Sequence, residues 1–242
     1  MKKAFTLAET LVTLGIVGIV AAMTIPGLIH YFKIKELEVR FKAMDSKIQQ
    51  ALKSMSDELE LDDFNKFNSY EACGASGPGA CDDTIFKQIN ESFLSKFKIS
   101  HSCTSTGCLP NYRKPQYYIT DFAGNKKIGY NFENAYGANW WGNKNFGTHV
   151  LLDGTMITSM CFMHHGDYDS VAFTFDTNGM EKGPNRYGYD IFIWTAERTW
   201  YPLCTAKSTT FSEYNGRGCY KYAKKNQDPD KKKANYWSSL KL

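Results

Sequence analysis

The sequence predicts an α+β protein in which a long N-terminal helix packs on a C-terminal antiparallel β-sheet. Two observations lead to this prediction. Apolar residues recur every three or four positions over most of the first 60 residues, which is the period of a helix. Beyond residue 115, short segments rich in aromatic and β-branched side chains alternate with turns that contain glycine. That second pattern is typical of strands joined by hairpins.

The first part of the predicted helix, residues 5–32, is apolar nearly all round. No Asp, Glu, Lys or Arg occurs from Thr10 to Phe32, and about 20 such residues suffice to cross a bilayer. A secretory signal sequence and a plain membrane anchor are alternatives to a functional membrane helix. Glu9 argues against a signal sequence, because such signals avoid acids in this region, and so does the continuation of the apolar run into a helix in the same phase. A carboxylate beside such a segment is costly and usually has a partner.

Residues 33–60 are predicted to continue the same helix as an amphipathic segment. Its apolar positions fall on one stripe at spacings of three or four: Ile34, Leu37, Phe41, Met44, Ile48, Leu52, Met55 and Leu59. A helix from Phe5 to about Asp57 would be about 80 Å long. Pro26 is expected to bend this helix without ending it, because the pattern resumes beyond it.

The remaining residues, 61–242, are enough for one compact domain, the head. A helix is predicted over residues 84–97, where apolar side chains again have helical spacing. Two hairpins are predicted next, and their turns are Ala123-Gly124-Asn125 and Asp153-Gly154. The first would join residues 117–122 to 127–132, and the second would join 150–152 to 155–160. Further strands are predicted at 170–175 and 189–194, which makes a sheet of four to six strands.

All seven cysteines lie outside the long helix, which indicates an oxidising compartment. Proximity in the sequence favours three disulfides and leaves Cys161 over, although the sequence does not determine connectivity. The favoured pairs are Cys73–Cys81, Cys103–Cys108 and Cys204–Cys219.

The N-terminal segment Ala4-Phe5-Thr6-Leu7-Ala8-Glu9 is followed by the uncharged run and by Pro26. In these features it closely resembles the start of type IV prepilins and type II secretion pseudopilins. The resemblance covers about the first 30 residues and implies that residues 1–4 are a leader, cut off between Ala4 and Phe5. It further implies methylation of the new N-terminal Phe5. The residue before the cut is normally Gly in this family, whereas it is Ala4 here.

The resemblance implies a structural subunit of a type IV pilus-like filament. Such a subunit is an inner-membrane single-pass precursor with a periplasmic head, and it ends in a periplasmic or extracellular filament. Its partners would be copies of itself, other pilins, a prepilin peptidase and an inner-membrane assembly platform. Glu9 would pair with the amine of a neighbouring Phe5 and set the axial register. The alternative is that Glu9 only reaches to the membrane interface.

Within this class, a type II secretion pseudopilin is the nearest alternative function. A minor pilin that binds DNA or a surface is another, because the segment from Lys221 onward is basic and contains aromatic residues. A solvated, flexible terminus would explain the same segment. The resemblance also favours the Cys204–Cys219 pair, since many pilins close a C-terminal loop in this way.

The loop from Asp176 to Asp190 is a candidate calcium site. Asp176, Asn178 and Asp190 carry hard oxygen ligands, and the loop is similar to loops of many pilin-like proteins, some of which bind calcium. These side chains could instead hydrogen-bond to the backbone of their own loop. No catalytic motif such as G-x-S-x-G, a phosphate loop or H-E-x-x-H occurs, so an enzyme is not expected, and no other cofactor is predicted.

Overall fold

The computed structural model describes residues 6–61, 83–103, 117–130, 147–158, 160–165, 168–196 and 203–242, excluding the side chains of 83–86 and 161–170. The described helices are α1 (Leu7–Glu58), α2 (Asp83–Ser95), α3 (Cys219–Lys225) and α4 (Tyr236–Ser239). The strands are β1 (Ile99–Cys103), β2 (Thr148–Leu151), β3 (Met156–Thr158), β4 (Cys161–His165), β5 (Tyr168–Asp176) and β6 (Ile191–Thr195). The fold is therefore α+β, as predicted. Residues 1–4 and Phe5 lie outside the described residues.

Helix α1 is a single helix of 52 residues that passes through Pro26. Thr6 caps its N-terminus, and the Leu59 amide donates to the Met55 carbonyl at its C-terminus, 2.9 Å away. Its first fully buried residue is Ile34, and from there the predicted stripe is buried as far as Met55. The predicted amphipathic continuation of the helix is confirmed.

The strands form one antiparallel sheet in the order β1-β2-β3-β5-β4, and β6 pairs with β5. Strand β5 is central, because β3 and β4 follow one another along one of its edges and β6 occupies the other. Phe175, for example, lies opposite Ile157 on one side and Phe192 on the other. The predicted hairpin at Asp153-Gly154 is present as β2 and β3.

The face of the sheet that packs on α1 is built from alternate residues of β5 and β6. Phe173, Phe175, Phe192 and Trp194 all lie in the same buried cluster as the α1 stripe. The Phe41 ring of α1 is centred 4.6 Å from Phe192 and 6.3 Å from Phe175. Helix α2 joins this layer through Phe93, whose ring centroid is 5.0 Å from that of Phe173.

A second buried cluster includes the intervening residues Ala172, Ile191 and Ile193. Its other buried members come mainly from segments outside the strands, and they include Tyr117, Ile119, Tyr130, Met180 and Tyr187. Because successive side chains of a strand point to opposite faces, this cluster covers the sheet opposite α1. The sheet is therefore enclosed on both faces.

The strand pair predicted around Ala123-Gly124-Asn125 is wrong within the described residues 117–130. Only an isolated bridge between Thr120 and Lys126 forms there. The turn is built by a side chain instead: the Asp121 carboxylate accepts hydrogen bonds from the backbone N–H of Asn125 at 2.9 Å and of Ser212 at 3.2 Å. Asp121 is fully buried, so these amides compensate part of its lost hydration.

The basic C-terminal segment is folded, and the expectation of a flexible terminus is wrong. Helices α3 and α4 pack against each other, and α4 packs on α1. Tyr236, Trp237 and Leu240 are buried in the main core. A disulfide joins Cys204 to Cys219, with a Cα–Cα distance of 5.1 Å, and so ties α3 to the preceding chain.

Candidate functional site

The first half of α1 carries the largest exposed apolar surface in the described chain. Every described residue from Thr6 to Lys33 except Ala21 is exposed, and Ala21 is half-buried. This stretch is long and apolar enough to cross a membrane, and its most apolar window has no buried residue. Apolar surface of this extent is unfavourable in water, so it needs lipid or other helices around it.

Glu9 lies in the first turn of α1 and forms a capping box with Thr6. The backbone N–H and the hydroxyl of Thr6 each donate to Oε2 of Glu9 at 2.8 Å, and the N–H of Glu9 donates to the Thr6 hydroxyl at 3.3 Å. These bonds satisfy amides that an α-helix leaves free at its start. Among the described residues, Oε1 of Glu9 accepts no hydrogen bond. The carboxylate is thus held in place with one oxygen available to a further donor.

The exposed half of α1 contains three glycines with open space beside them. A Cβ atom built at Gly15, Gly18 or Gly27 meets nothing within 4 Å. Small residues allow the backbones of neighbouring helices to approach closely in lipid. The exposed half of α1 therefore offers both apolar area and room for another helix.

The junction between the exposed and the buried half of α1 carries a compact charge cluster. Glu38 lies on the buried face of the helix, and its carboxylate accepts from Lys35 at 2.9 Å and from Lys42 at 2.5 Å. Glu36 pairs with Arg40 on the exposed side. All of these pairs lie three or four positions apart on one helix, so they stabilise the helix where the head begins.

The candidate calcium loop holds its carboxylates against its own backbone. Oδ1 of Asp176 accepts from the N–H groups of Asn178 and Gly179 at 3.0 and 2.9 Å. The two oxygens of Asp190 accept from the N–H groups of Asn185 and Arg186, each at 2.8 Å. These contacts favour the self-bonded loop over a metal site.

Further contacts and the burial of Asp190 characterise this loop. The Nδ2 of Asn178 donates to the Gly183 carbonyl at 2.7 Å. Full burial raises the pKa of Asp190 to about 6. Among the described residues, no group of three or more His, Cys, Asp or Glu side chains could hold a metal ion. Calcium binding by Asp176, Asn178 and Asp190 stays a prediction.

The described part of the chain contains one of the three favoured disulfides, Cys204–Cys219. Cys103 is disulfide-bonded too, whereas its favoured partner Cys108 lies outside the described residues. Cys73 and Cys81 also lie outside them.

The aromatic residues of the basic C-terminal segment differ in exposure. Tyr236 and Trp237 are buried, whereas Tyr222 is half-buried and has the Lys221 ammonium 5.4 Å from its ring centroid. The exposed groups in this region are mainly lysines, such as Lys231 to Lys233. A single-strand binding site normally combines positive charge with stacked aromatic rings, and burial makes Tyr236 and Trp237 unavailable for stacking. DNA binding by this segment stays a prediction.

The sequence interpretation missed Thr6. Its spacing to Glu9 is that of the capping-box motif, T-x-x-E, so the signal was present in the sequence. No protein-family model, curated protein or solved structure matches this chain.

Proposed function

We propose that this chain is a structural subunit of a type IV pilus-like filament, and that it assembles through the exposed half of α1. A prepilin peptidase would cut between Ala4 and Phe5, and an inner-membrane platform would draw the mature subunit into the filament. One observation carries the proposal. A single 52-residue helix has an exposed apolar half and a second half whose apolar stripe is buried in the head.

The energetics of α1 favour bundling. In the bilayer, lipid covers the apolar residues 10–32; once the subunit leaves the membrane, only other apolar helices can replace that lipid. Burial is worth about 25 cal/mol per Å², so the many exposed side chains of this half together strongly disfavour exposure to water. Copies of the same helix are the partners always present.

Glu9 supplies the directional part of the interface. The mature amine of a neighbouring Phe5 would be buried among apolar helices, where an unpaired charge costs several kcal/mol. Glu9 carries the only charge of the described chain before Lys33. With Thr6 occupying Oε2, Oε1 can accept a hydrogen bond from that amine. A charge pair formed only at one axial offset would set the register of the subunits.

The head belongs on the oxidising side of the membrane in this proposal. The Cys204–Cys219 disulfide is stable there, and the positively charged Lys2 and Lys3 would remain on the cytoplasmic side. The head would be periplasmic in the precursor and would cover the outside of the assembled filament.

The test replaces Glu9 and compares processing with assembly. Glu9→Gln keeps an N3 side chain that can complete the capping box but removes the charge, whereas Glu9→Ala removes both. Both variants are expected to be cleaved and inserted normally and to yield at least tenfold less sheared filament. Glu36→Ala is the matched control, because Glu36 is an exposed acid on the same helix.

Mass spectrometry of the native N-terminus completes the test. A methylated Phe5 is expected. Normal filament yield from Glu9→Gln would refute the role of the charge, and an uncut Met1 in the native protein would refute the filament subunit itself.

A further inference from the structure

The end of the uncharged run of α1 carries an exposed aromatic pair. Tyr31 and Phe32 are each 60% exposed, and their rings meet edge to face with centroids 5.7 Å apart. Lys33 follows and is exposed, and Ile34 is only 8% exposed because the head begins there. The pair therefore lies directly between the apolar half of the helix and the head.

We propose that Tyr31, Phe32 and Lys33 form an anchor for the headgroup region of a phospholipid bilayer, and that this anchor places Glu9 at the opposite membrane surface. The inference rests on the proposed function in one respect, namely that residues 10–32 span a bilayer. Its partner is the lipid–water interface, which is rich in glycerol, ester and phosphate groups.

The chemistry of the three side chains fits this partner. Aromatic rings concentrate at membrane interfaces, where the tyrosine hydroxyl stays hydrated while the ring lies against acyl chains. The Lys33 ammonium can reach lipid phosphates while its methylene stem stays against apolar groups. Within the uncharged run from Thr10 to Phe32, Tyr31 and Phe32 are the only Phe, Tyr or Trp residues, so the aromatic side chains of this run lie at its head-proximal end alone.

The length of helix between Glu9 and Tyr31 matches the thickness of a bilayer. Tyr31 follows Glu9 by 22 positions, which is about 33 Å along a helix. The hydrocarbon core of a bilayer is about 30 Å thick. With Tyr31 at the outer edge of that core, Glu9 lies just beyond the inner edge. Its carboxylate then stays hydrated in a single subunit.

Charge burial at Glu9 is avoided until the subunit moves outward, and a neighbouring amine can meet the carboxylate at that stage. The anchor is thereby a positioning element for the assembly site and not a part of the interface between subunits.

The first test measures depth in vesicles of phosphatidylethanolamine and phosphatidylglycerol, with the full chain at low protein density. The variant Phe32→Trp adds one indole. Its emission is obtained by subtracting the emission of the wild-type chain from that of the variant. Nitroxide on the lipid headgroup is expected to quench this emission at least twofold more than nitroxide at acyl carbon 12. Val17→Trp, in the middle of the span, is the control and should show the reverse order. Stronger quenching of Phe32→Trp from carbon 12, or quenching from neither lipid, would overturn the anchor.

The second test moves the anchor. In the quadruple variant Leu28→Trp, Ile29→Trp, Tyr31→Ser and Phe32→Ser, the aromatic pair lies three residues earlier, so the helix should shift outward by about 4.5 Å. Glu9 is drawn into the hydrocarbon edge, and its modification by a water-soluble carbodiimide is expected to slow at least fivefold. Glu36 in the same chain is the internal standard. Tyr31→Trp with Phe32→Trp keeps the anchor in place and should leave the rate unchanged.

An unchanged Glu9 rate in the relocated variant would overturn the link between the anchor and Glu9. Both tests use unassembled subunits, so their failure is distinguishable from failure of the filament proposal. If Glu9→Gln assembles normally while the depth order holds, the filament role of the charge is lost and the anchor remains.

Discussion

Truncation of Phe41 most directly tests the packing of α1 against the head. Phe41 is 1% exposed, and its ring contacts those of Phe175, Phe192, Tyr220 and Trp237. Those rings come from two strands and both C-terminal helices. Replacing Phe41 with alanine therefore leaves a cavity where four segments meet α1.

The size of the effect follows from burial. A phenylalanine side chain removes 150 Å² or more from water, and at about 25 cal/mol per Å² this corresponds to about 4 kcal/mol. Measured Phe→Ala changes in cores fall in the same range. For a domain of this size, a urea dependence of about 2 kcal/mol per M converts that loss into a midpoint about 2 M lower.

The assay is urea unfolding of the detergent-solubilised chain, followed by near-ultraviolet circular dichroism. Val39→Ala is the matched control, since Val39 lies two residues away on the same helix and is 56% exposed. It is expected to change stability by less than about 0.5 kcal/mol. A loss below about 1.5 kcal/mol for Phe41→Ala, or an equal loss for both variants, would refute the packing described.

Two further predictions concern the layer opposite α1. Arg186→Lys should lower the free energy of unfolding by about 2 kcal/mol, because the Arg186 guanidinium donates to the carbonyls of Phe122 and Lys241 and stacks 3.9 Å from the Tyr189 ring centroid. Urea midpoints check this, and a neutral result would contradict it. Because burial raises the pKa of Asp190 from 3.8 to about 6, the folded state binds the proton more tightly than the unfolded state. Stability from this group should be present below about pH 4 and lost as pH rises through 6, by up to about 3 kcal/mol. Asp190→Asn removes the titration, so an unchanged pH slope in that variant would exclude Asp190 as its source.

Long-range periodicity made α1 predictable. Its stripe continues for some seven turns beyond the apolar run, so the helix, its span and its buried face all follow from spacing. The hairpin at Asp153-Gly154 was predictable for a local reason. Gly154 has a φ of +85°, which glycine adopts without strain, and the flanking strands β2 and β3 are short and rich in β-branched residues.

The layer opposite α1 was not predictable from the same signals. Tyr117, Ile119 and Tyr130 have the composition of a hairpin, yet they pack as side chains of loops. The bond from the Ser212 amide to Asp121 and the bond from Arg186 to the Phe122 carbonyl hold these loops together. Those bonds join residues far apart in the chain, and periodicity contains no information about them.

The folded position of the C-terminal segment was not predicted either, for the opposite reason. Its many lysines suggest a solvated tail, but Tyr236, Trp237 and Leu240 decide its position because they are buried. A few large apolar side chains outweigh a run of charges that can all point outward. The candidate assembly site was easier, since Glu9 is conspicuous as one acid in an apolar segment, whereas Thr6 required attention to helix capping.

The continuity of α1 has a mechanical consequence for a subunit of this shape. Tension applied to the apolar end enters the head along one rod, at the residues from Ile34 to Met55, without a flexible linker in between. The load is spread over a long seam of side chains that would have to slip together. A filament of such rods would resist stretching until the helices slid out of their own heads along this whole seam, to which Phe41 belongs.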